Sequence, residues 1–440
     1  MARLWEHAVE RFNARRARVA VLGLGYAGLP LTCCFAEAGF ETVALDIDLH
    51  KTRRLAAGQS YISHIPSERI AKLVEIGRLQ PTADFARLKE CDAAIICVPT
   101  PLGDGRAPDL TYVVNTAKAV AEHLHEGQLV VLESTTYPGT TDEVLLPLFE
   151  ATGLEVGRDY FLAFSPERED PANSSFTTRT IPKVVGGVTT RCGEVAASAY
   201  RAAVEQIVPV SSARVAEAVK LLENIYRCVN IAMINELKLL FERMSIDVWE
   251  VVSAASTKPF GFTPFYPGPG LGGHCIPIDP FYLSWKARQY DFPARFIELA
   301  GEVNAAMPEY VVGRLADGLN LQGKALNGST ILLVGVAYKR EVDDVRESPA
   351  LTIIRLLRQK LAQVEFHDPY VLRLHSRQLE GDMTSVELTR EHVAAADAVV
   401  IVTDHQTIDY RLILDHGKIV VDTRNATARY RQAYHNVLMA

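Results

Sequence analysis

The segment Ala17–Gly28, ARVAVLGLGYAG, constrains the fold more than any other stretch of the chain. A short β-branched and apolar run ends in glycines, the pattern of a strand buried on both faces of a parallel sheet. Three glycines follow at the spacing G-x-G-x-x-G, leading into a helical pattern through Leu31 to Gly39. Gly23 permits a tight turn, Gly25 lets the backbone approach a pyrophosphate, and Gly28 allows helix and strand to pack closely. The helix N-terminus adds free N–H groups and a favourable dipole for phosphates. A second strand is expected at Thr42–Leu45, with Asp46 at its tip. An acidic residue about 20 positions past the turn is placed to accept from the adenosine ribose hydroxyls and to repel a 2′-phosphate. The arrangement therefore predicts NAD rather than NADP. Asp48 is an alternative acceptor, and Lys51 and Arg53 bring positive charge close by.

The rest of the chain repeats this alternation. Further strands are expected at Ala93–Val98, Leu129–Leu132 and Tyr160–Ala163. From Ala213 to Met244 the sequence lacks Gly and Pro and carries apolar residues at Val215, Val219, Leu222, Ile225, Tyr226, Val229, Met233 and Leu237, which predicts one long amphipathic helix. A Gly/Pro-dense loop covers Pro259–Pro280, and helices resume to about Leu321. A second strand–helix series then runs through Thr330–Val336, Gln363–His367, Ala398–Thr403 and Lys418–Asp422. The expected class is α/β, with two Rossmann-like doubly wound domains joined by a long central helix and helical connector. The expected divisions are residues 1–212, 213–321 and 322–440.

Composition excludes several function classes. A net charge of -7 without a dense basic run gives no support to a nucleic-acid or membrane-surface partner. No apolar stretch reaches the length of a membrane span, and the charged N-terminus with Glu6 and Glu10 is unlike a signal peptide. The seven cysteines are thinly spread and lack metal-ligand spacing, so reduced thiols in a cytoplasmic protein are expected and no metal site is.

Several polar segments stand where open α/β sheets bind ligands, at the C-terminal ends of strands. They are Glu133–Thr140 (ESTTYPGT) and Ser165–Arg168 (SPER). Lys220 and Asn224 are four residues apart and share a helix face, a spacing that fits both a site and a solvated surface. The loop Pro267–Cys275 places Cys275 on a glycine-shaped turn close to a helix N-terminus, where a thiolate is favoured. Asp279 before Pro280 fits an N-cap followed by proline at the first helical position. His274 adjoins Cys275, but sequence neighbours seldom point at each other. The second series lacks G-x-G-x-x-G, having Gly335–Lys339 (GVAYK) instead. That argues against a second dinucleotide, while Lys339 and Arg346 suit a nucleotide diphosphate.

Together these residues resemble the UDP-glucose/GDP-mannose dehydrogenase family of NAD-dependent nucleotide-sugar 6-dehydrogenases. The matching segments are GLGYAGLP (23–30), VPTP (98–101), ESTTYPGT (133–140), SPER (165–168), KLLENIYRCVNIAMINE (220–236), GLGGHCIPID (270–279) and GVAYKREVDDVRESP (335–349). The resemblance implies that Cys275 is the nucleophile, that Lys220 and Asn224 stabilise an oxyanion, that Glu167 and Asp279 act as acid and base, and that Thr136 positions a water. It implies a cofactor set of Gly23, Gly25, Tyr26, Gly28, Asp46, Lys51, Pro99, Thr100, Thr136 and Arg346. The implied substrate set is Glu167, Arg168, Lys220, Asn224, Tyr266, Gly272 and Lys339, with the UDP moiety on the last domain. Residues 265–288 resemble the UDP-N-acetylhexosamine branch, which makes UDP-N-acetylglucosamine the expected sugar. UDP-glucose, or another nucleotide such as dTDP, is the alternative. A non-catalytic NAD-binding sensor would need no nucleophile. The low bulk of Pro267–Gly270 suggests room for a C2 acetamido group. The apolar excess of the long helix suggests a homodimer or higher homo-oligomer.

Overall fold

The computed structural model describes residues 3–62, 65–169, 175–273 and 275–440. The chain falls into two compact units, residues 1–223 with 281–292, and residues 224–280 with 293–440.

The first unit is built on eight strands: β1 (Arg18–Leu22), β2 (Glu41–Leu45), β3 (Leu79–Thr82), β4 (Ala93–Ile96), β5 (Leu129–Leu132), β6 (Phe161–Phe164), β7 (Lys183–Gly187) and β8 (Ile207–Val210). Their order is β3-β2-β1-β4-β5-β6-β7-β8. All neighbours are parallel except β6 and β7. The first six strands follow the doubly wound order 3-2-1-4-5-6, with the crevice for a ligand expected where the winding reverses, between β1 and β4. Burial on both faces explains the unbroken apolar runs. Val19, Ile95 and Val131 pack into one core, while Ala20, Leu22, Ile96 and Leu132 pack into another on the opposite face. Each large aliphatic side chain buried this way contributes about 1.5–3 kcal/mol.

The two edge strands were not legible as strands because each contains proline, Pro81 in β3 and Pro209 in β8. Proline lacks the ladder N–H, so an edge is where it is tolerated. The charged N-terminus forms a helix, Leu4–Asn13, that buries Ala8 and Phe12.

The long helix spans Ala213–Arg243, as its periodicity predicts. It ends where Ser245 takes a left-handed conformation, with φ 57°, and Ile246 N–H returns to the carbonyl of Phe241 at 2.8 Å. The division between the two units falls inside this helix, after Glu223. Helices Asp279–Arg288 and Arg295–Leu321 follow.

The second unit carries β9 (Thr330–Val334), β10 (Gln363–His367), the short antiparallel pair β11 (Arg373–Leu374) and β12 (Met383–Thr384), then β13 (Ala398–Ile401), β14 (Val420–Asp422) and β15 (Val437–Met439). The five-stranded sheet is parallel throughout in the order β10-β9-β13-β14-β15. Without the small pair this is the 2-1-3-4-5 winding, the other common doubly wound order. Ile331 and Leu333 point into one core and Leu332 and Val334 into the other. Among the described residues, no helix is long and apolar enough to cross a membrane.

Candidate active site

In the first unit the glycine turn after β1 is shaped as its sequence requires. Gly23 has φ 94°, and a Cβ there would lie 2.6 Å from the carbonyl oxygen of Cys97. A Cβ on Gly28 would lie 1.9 Å from the carbonyl oxygen of Gly23. Gly25 differs, because a Cβ there would meet nothing within 4 Å. Tight packing behind the turn and open space before it are what a pyrophosphate approaching the backbone needs. Asp46 is buried at the tip of β2. It accepts from Leu24 N–H at 2.8 Å and Asp48 N–H at 2.9 Å, and pairs with Lys51 Nζ at 3.0 Å. Its carboxylate thus holds the glycine turn, and Lys51 spends its charge on Asp46. Tyr26 lies half-buried in the same turn.

Pro99 and Thr100 follow β4, and the carbonyls of Thr100 and Pro101 accept from the buried Tyr282 hydroxyl at 2.9 and 3.1 Å. Beside them, Ser134 donates to the carbonyl of Val98 at 2.7 Å, tying the end of β5 to that of β4. Thr136 is fully buried, and its hydroxyl has no partner among the described residues. A buried hydroxyl left unsatisfied calls for a ligand or a water.

The following turn is held by a residue that sequence reasoning missed. Glu217, on the first part of the long helix, accepts from Gly139 N–H at 2.6 Å, Thr141 N–H at 2.8 Å and the Thr141 hydroxyl at 2.7 Å. Glu133, at the head of the same motif, is buried against Lys183 Nζ at 2.6 Å and the Tyr200 hydroxyl. Both carboxylates brace the loop that carries Thr136.

Glu167 lies at the end of β6, with Lys220 Nζ 3.5 Å from its Oε2; Lys220 is 5% exposed. Arg168, expected on the substrate, has its guanidinium committed elsewhere. It pairs with Glu223 at 2.7 Å and donates to the carbonyl of Pro182 at 2.6 Å. Glu169 was also missed. Burial and the neighbouring charge of Glu167 push its carboxyl up to about 8, and its Oε1 has no partner among the described residues. The alternating carboxylates of Glu167 and Glu169 were the available signal.

In the second unit Cys275 is half-buried, and its carbonyl accepts from Ile278 N–H at 3.1 Å and Asp279 N–H at 2.7 Å. This turn leads into the helix Asp279–Arg288, which starts at Asp279 itself rather than after it. Asp279 is buried, and its carboxylate accepts from Asn224 Nδ2 at 2.5 Å. His274 lies outside the described residues. The glycines ahead of Cys275 let the loop press onto neighbouring backbone: a Cβ on Gly272 would lie 2.7 Å from Tyr338 Cβ, and Gly273 N–H donates to the carbonyl of Arg346 at 3.0 Å.

The loop ahead of Cys275 is less open than its low bulk suggests. Gly268 makes room for Arg424, since a Cβ there would lie 2.5 Å from the Arg424 guanidinium. Gly270 likewise faces Asn304 and Pro349. Arg346 pairs with Asp344 at 2.6 Å within its own loop and keeps an exposed side chain. Lys339 is half-buried in the turn after β9, and Tyr266 is half exposed and stacks on Trp249 at 5.7 Å. Among the described residues no group of side chains is arranged to hold a metal ion.

The second unit repeats the acid at the tip of its second strand, but uses it differently. Asp368 accepts from the N–H groups of Val336, Ala337, Tyr370 and Val371 and from His405 Nε2. It is 1% exposed. A carboxylate so fully used has no capacity for a ribose, which accounts for one dinucleotide site rather than two.

A dinucleotide crevice on one doubly wound sheet, and a second doubly wound unit bearing a half-buried cysteine, define a nucleotide-dependent dehydrogenase of two α/β units. Comparison with known families narrows this. Residues 17–204 match the NAD binding domain, 214–306 the central domain and 332–429 the UDP binding domain of the UDP-glucose/GDP-mannose dehydrogenase family. The chain belongs to this family and is an NAD-dependent nucleotide-sugar dehydrogenase. It is 36% identical over 415 residues to a UDP-N-acetyl-D-mannosamine dehydrogenase of Pyrococcus horikoshii, covering 93% of this chain and 95% of that one. It is 36% identical over 356 residues to a UDP-N-acetyl-D-glucosamine 6-dehydrogenase of Pseudomonas aeruginosa, covering 80% and 83%. The solved structure of the UDP-D-ManNAc dehydrogenase from P. horikoshii superposes with a TM-score of 0.85 at 35% identity, covering 93% of this chain and 96% of that one.

Glu217 generates a pH test. Burial holds its carboxyl up at about 7 from an ordinary 4.5, against the opposing pull of its Thr141 and Gly139 donors. The folded state therefore keeps a proton that the unfolded state releases. Stability from this group is full below about pH 4.5 and is lost as pH rises through about 7. Glu217→Gln should flatten the fall in Tm between about pH 5 and about pH 8, read by calorimetry; the same fall in both proteins would exclude Glu217 as its source.

Proposed function

We propose that the chain oxidises C6 of a UDP-N-acetylhexosamine to a carboxylate, UDP-N-acetylglucosamine foremost, through a thioester on Cys275. The observation that carries this is the setting of Cys275 among the cysteines. Burial pushes the thiols of Cys33, Cys34 and Cys91 up to about 12 and that of Cys228 to about 11. Burial raises the Cys97 thiol as well, and Cys192 is fully buried with its sulfur accepting from Leu162 N–H. Cys275 alone combines partial exposure with a place one turn before a helix N-terminus, where a thiolate is favoured.

In this reading Gly23, Gly25, Gly28 and Asp46, with Tyr26, Lys51, Pro99, Thr100 and Thr136, hold the dinucleotide. The bound nicotinamide supplies hydride acceptance, once for each of two oxidations. A carboxylate, Glu167 or Asp279, takes the proton of the C6 hydroxyl as the alcohol becomes an aldehyde. The Cys275 thiolate adds to C6, forming the C–S bond. The charge that gathers on the C6 oxygen is met by the Lys220 ammonium and the Asn224 amide, carried one turn apart on the long helix. The second oxidation leaves a thioester. Water oriented by the Thr136 hydroxyl attacks it, passing one proton to Glu167 or Asp279; the C–S bond breaks, the thiolate leaves, and the acid formed loses its second proton to solvent. Lys339 and the backbone of Gly272, with Tyr266, are assigned to the UDP-sugar. Segments 1–212, 213–321 and 322–440 then serve cofactor, catalytic loop and subunit contact, and nucleotide in turn. The site of action is the cytoplasm, consistent with seven free cysteines.

The acetamido sugar rests on the relatives named above rather than on the slender Pro267–Gly270 loop. The P. horikoshii relative favours a second reading, the C2 epimer UDP-N-acetylmannosamine. We also propose a homodimer through the long helix. Leu222, Tyr226, Met233, Leu240 and Met244 recur near one face of it and are 67%, 50%, 49%, 50% and 56% exposed.

Three outcomes are expected. Cys275→Ser should abolish net formation of the sugar acid, whereas the unaltered enzyme yields two NADH per acid; near-normal acid output from the variant would remove Cys275 from the mechanism. In a panel of nucleotide sugars, UDP-N-acetylglucosamine should exceed UDP-glucose in kcat/KM. A tenfold preference for UDP-glucose, about 1.4 kcal/mol, would overturn the acetamido assignment, and a clear lead for the mannosamine epimer would select the second reading. Sedimentation at micromolar concentration should find a dimer, and a monomer would refute the helix contact.

A further inference from the structure

The second unit carries a pocket of about 270 Å³, open to solvent, that the proposed chemistry does not use. Its wall includes Lys238 and Glu242 from the long helix, Ile246, Val248 and Trp249 from the turn and helix that follow, and Arg314. Most of the charged groups here are already engaged. Glu242 accepts from the Tyr310 hydroxyl and from Arg314 at 3.0 Å. Asp247 accepts from Trp249 N–H at 2.9 Å, and Asp422 accepts from Arg424, Ala426 and Thr427.

Lys238 is the exception. It is 5% exposed, and the one recorded contact of its Nζ is with the face of the Tyr310 ring, 4.7 Å from the centroid. Among the described residues it has no hydrogen bond and no ion pair. Burial pulls its ammonium down to about 8, with Arg314 adding to the effect and Glu242, Asp422 and Asp247 opposing it. Its ammonium faces the pocket with no acceptor among the described residues, so its donors are left to solvent or to a ligand. The unspent polar capacity of the cavity is therefore that of a donor, set beside an apolar wall.

We propose that this cavity is a binding site for a small carboxylate with an apolar body, its carboxylate on Lys238 Nζ and its body against Ile246, Val248 and Trp249. The volume is sufficient, since an apolar cavity of about 150 Å³ holds benzene. The site also has a route to catalysis. Trp249 stacks on Tyr266 with an interplanar angle of 16°, and Tyr266 begins the stretch that leads to Cys275.

The test uses the full chain with benzoate as the probe and benzamide as its neutral counterpart, followed by calorimetry and by the shift in Tm, without any nucleotide sugar. Benzoate at millimolar concentration should bind and raise Tm, and benzamide should do neither. Lys238→Met should weaken benzoate binding about tenfold or more, the loss expected for a charge-assisted contact. Lys238→Arg should retain binding and so separates loss of charge from loss of fold. No binding of benzoate to the unaltered chain, or equal binding to the Lys238→Met variant, would overturn the proposal. Because no turnover is measured, its failure is distinct from any failure of the C6-oxidation reading.

Discussion

The architecture depends on carboxylates taken out of water and repaid with backbone N–H groups. A glycine turn at the end of a strand leaves amides with no partner in the sheet, and a buried acid at the tip of the next strand collects them. Asp46 does this for Leu24 and Asp48, and Asp368 for Val336, Ala337, Tyr370 and Val371. A buried carboxylate without such donors would be strongly destabilising. With them it locks the turn, and the number of donors decides what else it can do. Asp46, with two amides and Lys51, keeps capacity for a ribose; Asp368, with five donors, does not. One interaction repeated at two strengths thus separates a cofactor unit from its partner.

The same device recurs around the candidate chemistry. Glu217 collects the amides of the Gly139–Thr141 turn, and Glu133 is neutralised by Lys183 and Tyr200. Asp279 receives Asn224. The groups proposed to meet substrate are thereby set on braced turns rather than free loops, which limits the reorganisation required during reaction.

Legibility in the sequence followed the strength of local pattern. Most strands buried on both faces and the long helix were readable, because each imposes an unbroken apolar run or a sustained period; β7 was not, since Lys183 opens it and two glycines close it. The edge strands carrying Pro81 and Pro209 were not, since their fitness depends on having one unpaired side, a property of the sheet. Gly23 and Gly28 take the positive-φ turn and the close helix–strand approach that their spacing predicts. The surroundings of Gly268 and Gly270 were not legible, because low bulk in sequence does not say which neighbour fills the space, and here Arg424 and Asn304 do. The ion pairs of Arg168 with Glu223 and of Arg346 with Asp344 were not legible either, because their partners are set by the fold. Glu217 and Lys238 left no signal, since each is one charge among several on the long helix. Their significance lies in what each is buried against.

The path of the chain has a consequence for its biosynthesis. Residues 281–292 belong to the first unit although 57 residues of the second, 224–280, precede them. Tyr282 donates its hydroxyl to the Thr100 and Pro101 carbonyls, Trp285 packs against Tyr137 with ring centroids 5.1 Å apart, and Lys286 pairs with Glu143. On a ribosome adding about 5–20 residues per second, the first unit waits several seconds between the emergence of its sheet and the arrival of this last helix. Until then the loop carrying Thr136 lacks one of its supports. That support therefore arrives late in translation, after Cys275 has been made.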